Sequence, residues 1–128
     1  MANYKVQAHF HEKGVPIETN LNLISFQEDG NHIVYSAAMD MSGYGKTEQE
    51  AIESFKLALE EFVRYTMAKN TIFKELARLG WNVSGKEKKT AHPPSFETLQ
   101  EKNPEFKHMI ESVPHTVIRQ PMRIPQYA

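Results

Sequence analysis

Tyr4, Val6, Ala8 and Phe10 alternate with Lys5, Gln7, His9 and His11, a period of two that predicts a half-buried strand. Gly14, Pro16 and Thr19-Asn20 then interrupt the pattern. A second strand, Leu21 to Glu28, runs into Asp29-Gly30, the dipeptide best suited to a two-residue hairpin turn. A turn there sets Phe26 opposite Ile33 and Ile24 opposite Tyr35. It also gathers Ile24, Phe26, Ile33, Tyr35, Ala37 and Met39 on one face. Leu23, Ser25, Val34 and Ser36 occupy the other face, which reads as partly exposed because its side chains are small or mixed.

The third strand is expected to run from His32 to Asp40, followed by a short glycine turn around Gly43 and Gly45. From Thr47 the period changes to that of a helix. Ala51, Ile52, Phe55, Ala58, Leu59, Phe62 and Val63 form one apolar stripe to about Ala68. Thr47 with Glu50 three positions later is a capping box at the start of this helix. Three strands with this helix over them predict a two-layer α+β core over residues 4–70, an antiparallel three-stranded meander followed by the helix. Residues 71–128 extend it. Thr71 to Leu79 reads as a helix stopped by Gly80, and Trp81 then packs or anchors the chain beyond it. Ser84 to Lys89 is charged and loop-like. Ser95 caps a short helix to about Lys102, and Asn103-Pro104 starts another. His115 to Ile124 reads as a late strand, in which Pro121 withholds a ladder donor and so implies an edge or a bulge.

Composition narrows the class more than the function. The chain has 128 residues, enough for a single domain with a real core, and 15 basic against 16 acidic residues. No net field therefore singles out nucleic acid or an anionic membrane as partner. Zero cysteines exclude disulfides, thiolate metal sites and a cysteine nucleophile. Met1 to Phe10 lacks the order of a signal peptide, and no apolar run approaches the ~18 residues that span a bilayer. A cytoplasmic protein is the expectation.

Asp40-Met41-Ser42-Gly43-Tyr44-Gly45-Lys46-Thr47 nearly spells a phosphate-binding loop, but the glycine required five residues before Gly45 is replaced by Asp40. A carboxylate there repels phosphate, and a Cβ blocks the close approach of the backbone. The capping role of Thr47 is the better reading, and no nucleotide cofactor is expected.

The order of strand, Asp-Gly hairpin, strand, glycine turn and capped helix resembles the RNase H-like domain of HicB-type antitoxins, mainly over residues 4–68. The residues that carry the likeness are Ile24 to Asp29 with Gly30, His32 to Asp40, Gly43, Gly45 and Thr47-Glu48-Gln49-Glu50-Ala51. Two departures stand beside it. The family's Pro-Gly-Cys before the helix is replaced by a shorter Ser42-Gly43-Tyr44, and residues 71–128 carry no clear DNA-binding domain. The resemblance implies a non-catalytic protein-binding module that occludes a HicA-like mRNA-cleaving toxin. Tyr44, Lys46, Arg119 and Arg123 are the expected partner-binding residues, and a homodimer is expected through exposed sheet edges.

Other chemistry is weaker. Glu28 and Asp29 sit at a hairpin turn, about ten residues or ~30 Å of strand from Asp40, too far to share a pair of metal ions. His9 and His11 share a strand face but lack a third ligand, so a solvated polar face is the simpler reading and no metal is expected. Neither a catalytic set nor enzyme activity is expected. The alternative function is an RNA-binding module using Trp81 with Lys86, Lys88 and Lys89, through stacking and charge.

Overall fold

A computed structural model describes residues 16–86 and 88–125. The strand expected over residues 4–10, with His9 and His11, lies outside the described residues. Ten elements follow in order: β1 (Ile17–Glu28), β2 (Asn31–Ser36), β3 (Met41–Gly45), α1 (Glu48–Ala68), α2 (Ile72–Arg78), β4 (Asn82–Ser84), β5 (Thr90–His92), α3 (Phe96–Lys102), α4 (Pro104–Ser112) and β6 (Thr116–Ile124). An antiparallel sheet of order β3-β2-β1-β6 forms the centre, and β4 and β5 make a separate hairpin.

Asp29 and Gly30 form the turn, both with positive φ, and the register pairs Ile24 with Tyr35 and Phe26 with Ile33 as the sequence predicts. The two sheet faces, however, are assigned differently from expectation. Leu21, Leu23, Val34, Ser25 and Ser36 are buried, and the first three belong to the main core beneath α1 with Ala51, Phe55 and Leu59. The bulkier face of Ile24, Phe26 and Tyr35 is covered instead by α3 and α4. Phe106 of α4 stacks at a tilt on Tyr35 (6.1 Å between centroids) and meets Phe96 edge-on. The expected two-layer arrangement is thus incomplete, because helices stand on both faces of the sheet.

The glycine turn is also corrected: Met41–Gly45 is a strand. The chain reverses earlier, at residues 37–40, where Asp40 takes a positive φ and Ser36 Oγ accepts a hydrogen bond from Met39 N. Gly43 and Gly45 face α1. A Cβ on Gly43 would overlap the Ala51 carbonyl oxygen and stand 2.5 Å from Phe55 N; one on Gly45 would stand 2.5 Å from Glu50 Cβ. These two residues let the helix backbone lie directly on the strand. Thr47 caps α1 through Oγ1 to Glu50 N (3.1 Å), and Glu50 Oε1 returns a bond to Lys46 N (2.9 Å), one residue before the usual capping-box partner. Gly45-Lys46-Thr47 therefore passes from strand to helix cap.

α2 closes with a Schellman motif in which Gly80 N and Trp81 N donate to Ala77 O and Leu76 O. Ser95 and Asn103 cap α3 and α4 as expected, with Pro104 opening α4. Ser84 to Lys89, read as charged and loop-like, spans the last residue of β4 and the turn to β5, and the pairing of the two strands was not predicted.

Each outer edge of the described sheet carries a feature that discourages further strand pairing. A two-residue turn makes Glu28–Asn31 a hydrogen-bonded pair, and the alternation of antiparallel ladders carries this pattern across the sheet. The Asn20–Pro121 pair then falls between ladder bonds, so the nitrogen of Pro121 points outward and costs no bond. On the opposite edge the outward Tyr44 N–H donates to Ser54 Oγ of α1 (3.2 Å). A sheet continued through β3 into a second copy would set two α1 helices about 5 Å apart, half a helix diameter. The dimer expected by edge pairing does not fit at β3.

Candidate interaction surfaces

α1 begins over the β1–β2 turn and runs back along the sheet. Gly45 pairs with His32 beside the turn, and Ser25 Oγ donates to Glu48 Oε2 at 2.7 Å, fixing the helix start there. Glu28, Asp29, Glu48, Glu50 and Glu53 therefore share one end of the molecule. Among the described residues, Lys46 and Lys56 are cations at this end, Lys56 paired with Glu53 at 3.6 Å. Tyr44, 62 % exposed, projects at this end from the sheet face opposite α1, and Leu57, 67 % exposed, stands on the outer side of the helix.

At 21 residues α1 is about 31 Å long, and several lysines of the described residues lie toward its far end. Lys69 follows α1 and lies over the Tyr65 ring at 5.7 Å, and Lys74 is exposed on α2. The β4–β5 turn reaches the same place because Lys89 Nζ sits 5.9 Å from the Phe73 ring centre. Gly85, at φ +94°, shapes that turn, since a Cβ would strike the Lys88 carbonyl. Arg78 pairs with Glu75 at 3.0 Å. Glu18 lines the same surface as Lys88 and Lys89, so charges of both signs meet there.

The expected site residues divide accordingly. Tyr44 and Lys46 lie together at the acidic end. Arg119 and Arg123 lie on β6 across the width of the sheet, both exposed, opposite Asn22 and Glu18. The four do not make one surface. Lys86 and Lys88 are exposed, but Trp81 is only 4 % exposed and donates Nε1–H to Ala38 O at 2.9 Å. Trp81 anchors the 37–40 turn from the core and offers no face to a base. The acidic grouping was missed from the sequence because it depends on the direction of α1 relative to the β1–β2 turn.

The carboxylates Asp29 and Asp40 end opposite ends of the second hairpin strand, as their spacing implied. Among the described residues no three His, Asp or Glu side chains cluster to hold a metal ion. Asp40 Oδ1 instead accepts a hydrogen bond from Tyr35 Oη at 2.9 Å. Burial first, then this bond and the charges of Asp40 and Glu105, hold the Tyr35 phenol well above the usual tyrosine range. The fold favours the neutral phenol, so its contribution to stability is complete below the unfolded value of about 10 and declines as pH rises beyond it. Stability of the wild type is expected to fall more steeply above pH ~10 than that of Tyr35→Phe in urea titrations. Equal slopes would contradict the assignment.

No described helix is long and apolar enough to cross a membrane. No family model, curated protein or solved structure matches this chain.

Proposed function

We propose that this chain is a non-catalytic, HicB-like protein-binding module of the cytoplasm that neutralises a HicA-like mRNA-cleaving toxin by covering its active surface. The observation that carries the reading is the acidic end of α1 and the β1–β2 turn, with exposed Tyr44 beside it. A protein that grips RNA presents cationic groups to phosphate. A surface of Glu48, Glu50, Glu53, Glu28 and Asp29 competes for those groups, and an aromatic side chain supplies the apolar contact that such interfaces favour. The strand–strand–strand–helix order of residues 17–68 supports the RNase H-like assignment. Strand pairing of two copies through β3 forms no part of the proposal.

Co-expression tests it. The product of the neighbouring gene, expressed alone, is expected to arrest growth, and this chain is expected to restore it. Tyr44→Ala with Glu53→Lys is expected to weaken rescue by a factor of ten or more in the chain concentration required, a loss typical of removing an interface anchor and reversing a charge. A neighbouring product that is harmless, or rescue indifferent to both substitutions, overturns the reading.

A further inference from the structure

The sheet face opposite α1 is covered by two helices with little to anchor them. α3 and α4 have 7 and 9 residues, and helices shorter than ~12–15 residues are marginal on their own in water. Their order therefore comes from docking. α3 buries no residue and α4 buries Phe106 alone, whereas α1 buries four along its 21 residues. Phe96, Leu99, Met109 and Ile110 are only half-buried around Phe106, and Leu99 also reaches the main core. Polar contacts add nothing to this hold. Ser95 and Asn103 cap their own helices, and His108 Nδ1 lies 3.4 Å from Ser112 Oγ within α4. Among the described residues no hydrogen bond or ion pair ties α3 or α4 to the sheet. The connections on either side, residues 93–95 and 113–115, hold Pro93, Pro94 and Pro114, which have no backbone N–H to donate.

We propose that α3 and α4 form a detachable cover, which opens as one unit while the sheet, α1 and the main core stay folded. Phe106 is its plug. The ring stands 6.1 Å from that of Tyr35 on the sheet and 5.4 Å from that of Phe96 on α3, so it joins both helices to the face beneath. β6 pairs with β1 along its whole length, so the chain beyond the cover stays attached when the cover lifts. The covered face also extends past the helices. Phe26, Ile33 and Tyr44 form one row across β1, β2 and β3, and in the next row Ile24 pairs with Val117 of β6. Tyr44 is exposed on one side of the cover and Val117, at 54 %, on the other. Opening joins these two exposed positions into one apolar face across the four strands.

Hydrogen exchange read at single amides by NMR tests the cover on the intact chain. Leu99 and Asn103, bonded within the cover, and Met109 and Ile110 of α4 are expected to share one protection factor. That factor is expected to be at least about a hundredfold below the protection of Phe55 and Leu59 in α1. Its dependence on urea should be weaker too, because a local opening exposes less surface. Phe96→Ala, in α3, is expected to speed exchange in α4 about tenfold along with that in α3, as a single unit requires. Phe106→Ala is expected to remove the protection of both helices. Phe55 and Leu59 then lose at most the factor by which the cover had been closed, because the open state already lacks the contacts of Phe106. They should keep about a hundredfold protection or more. Anilinonaphthalene sulfonate is expected to gain fluorescence several-fold with Phe106→Ala, as the apolar face is bared. Protection in α3 and α4 equal to that in α1, acceleration by Phe96→Ala confined to α3, loss of α1 protection together with the cover, or unchanged dye fluorescence overturns the proposal. No partner enters these measurements, so their outcome is separate from that of the toxin-binding reading.

Discussion

Gly43→Ala is expected to destabilise the fold by about 3 kcal/mol, at the upper end of overpacking costs. The added methyl has nowhere to go. It would meet the carbonyl oxygen of Ala51 and the backbone nitrogen of Phe55, and neither can rotate aside as a side chain could. Relief requires lifting α1 from β3, which opens the core around buried Phe55 and Leu59. Against a total stability of about 5–15 kcal/mol for an ordinary domain, the shift in urea midpoint should be large. Gly30→Ala is the comparison. Its Cβ meets nothing within 4 Å, so its cost is that of the left-handed backbone alone, about 1 kcal/mol. Equal costs at the two positions would mean that α1 does not rest on the backbone of β3.

Trp81→Ala is expected to cost about 3–5 kcal/mol, as for other large aromatic residues removed from cores. The ring is buried among the main core residues, and its indole N–H closes a hydrogen bond to the Ala38 carbonyl from 43 residues away. Trp81→Phe divides the two contributions. Most apolar contact is kept while the Ala38 carbonyl loses its donor, and a smaller loss of about 1–3 kcal/mol follows. A tryptophan displayed for RNA would give different results, with both substitutions near-neutral to stability, within about 0.5 kcal/mol. Thermal or urea unfolding of the two variants decides between these roles.

Local chemistry was legible in the sequence wherever a few adjacent residues determine it. Asp29-Gly30 set the β1–β2 register, and Thr47, Ser95 and Asn103-Pro104 marked the starts of three helices. Long-range packing was not legible. The face bearing Ile24, Phe26 and Tyr35 looked like the core by bulk, yet the face beneath α1 holds the main core, because α3 and α4 arrive later in the chain to cover the bulky side. Met41–Gly45 looked like a turn because it holds two glycines, whose purpose is the close approach of a helix that comes after them. β4 and β5 are three residues each, too short for an alternating pattern to stand out, and Ser84 to Lys89 between them was read as a charged loop.

The same division holds for the candidate sites. Of the four expected partner-binding residues, Tyr44 and Lys46 lie together, as their spacing of two requires. Arg119 and Arg123 were grouped with them as cations of the last strand, and the sheet order places that strand on the far edge. The grouping of Glu48, Glu50 and Glu53 with Glu28 and Asp29 needed the third dimension, since Glu28 and Glu48 are remote in sequence. The bond from Ser25 Oγ to Glu48 brings them together.

Under the proposed function, a basic protein partner docks on the acidic end beside Tyr44. Isothermal titration of the purified neighbouring gene product into this chain tests it most directly. A saturable complex is expected whose affinity falls at least tenfold for Tyr44→Ala combined with Glu53→Lys, and which weakens as salt is raised. The absence of a complex, or one whose affinity is unmoved by both substitutions and by salt, would rule out docking at this surface.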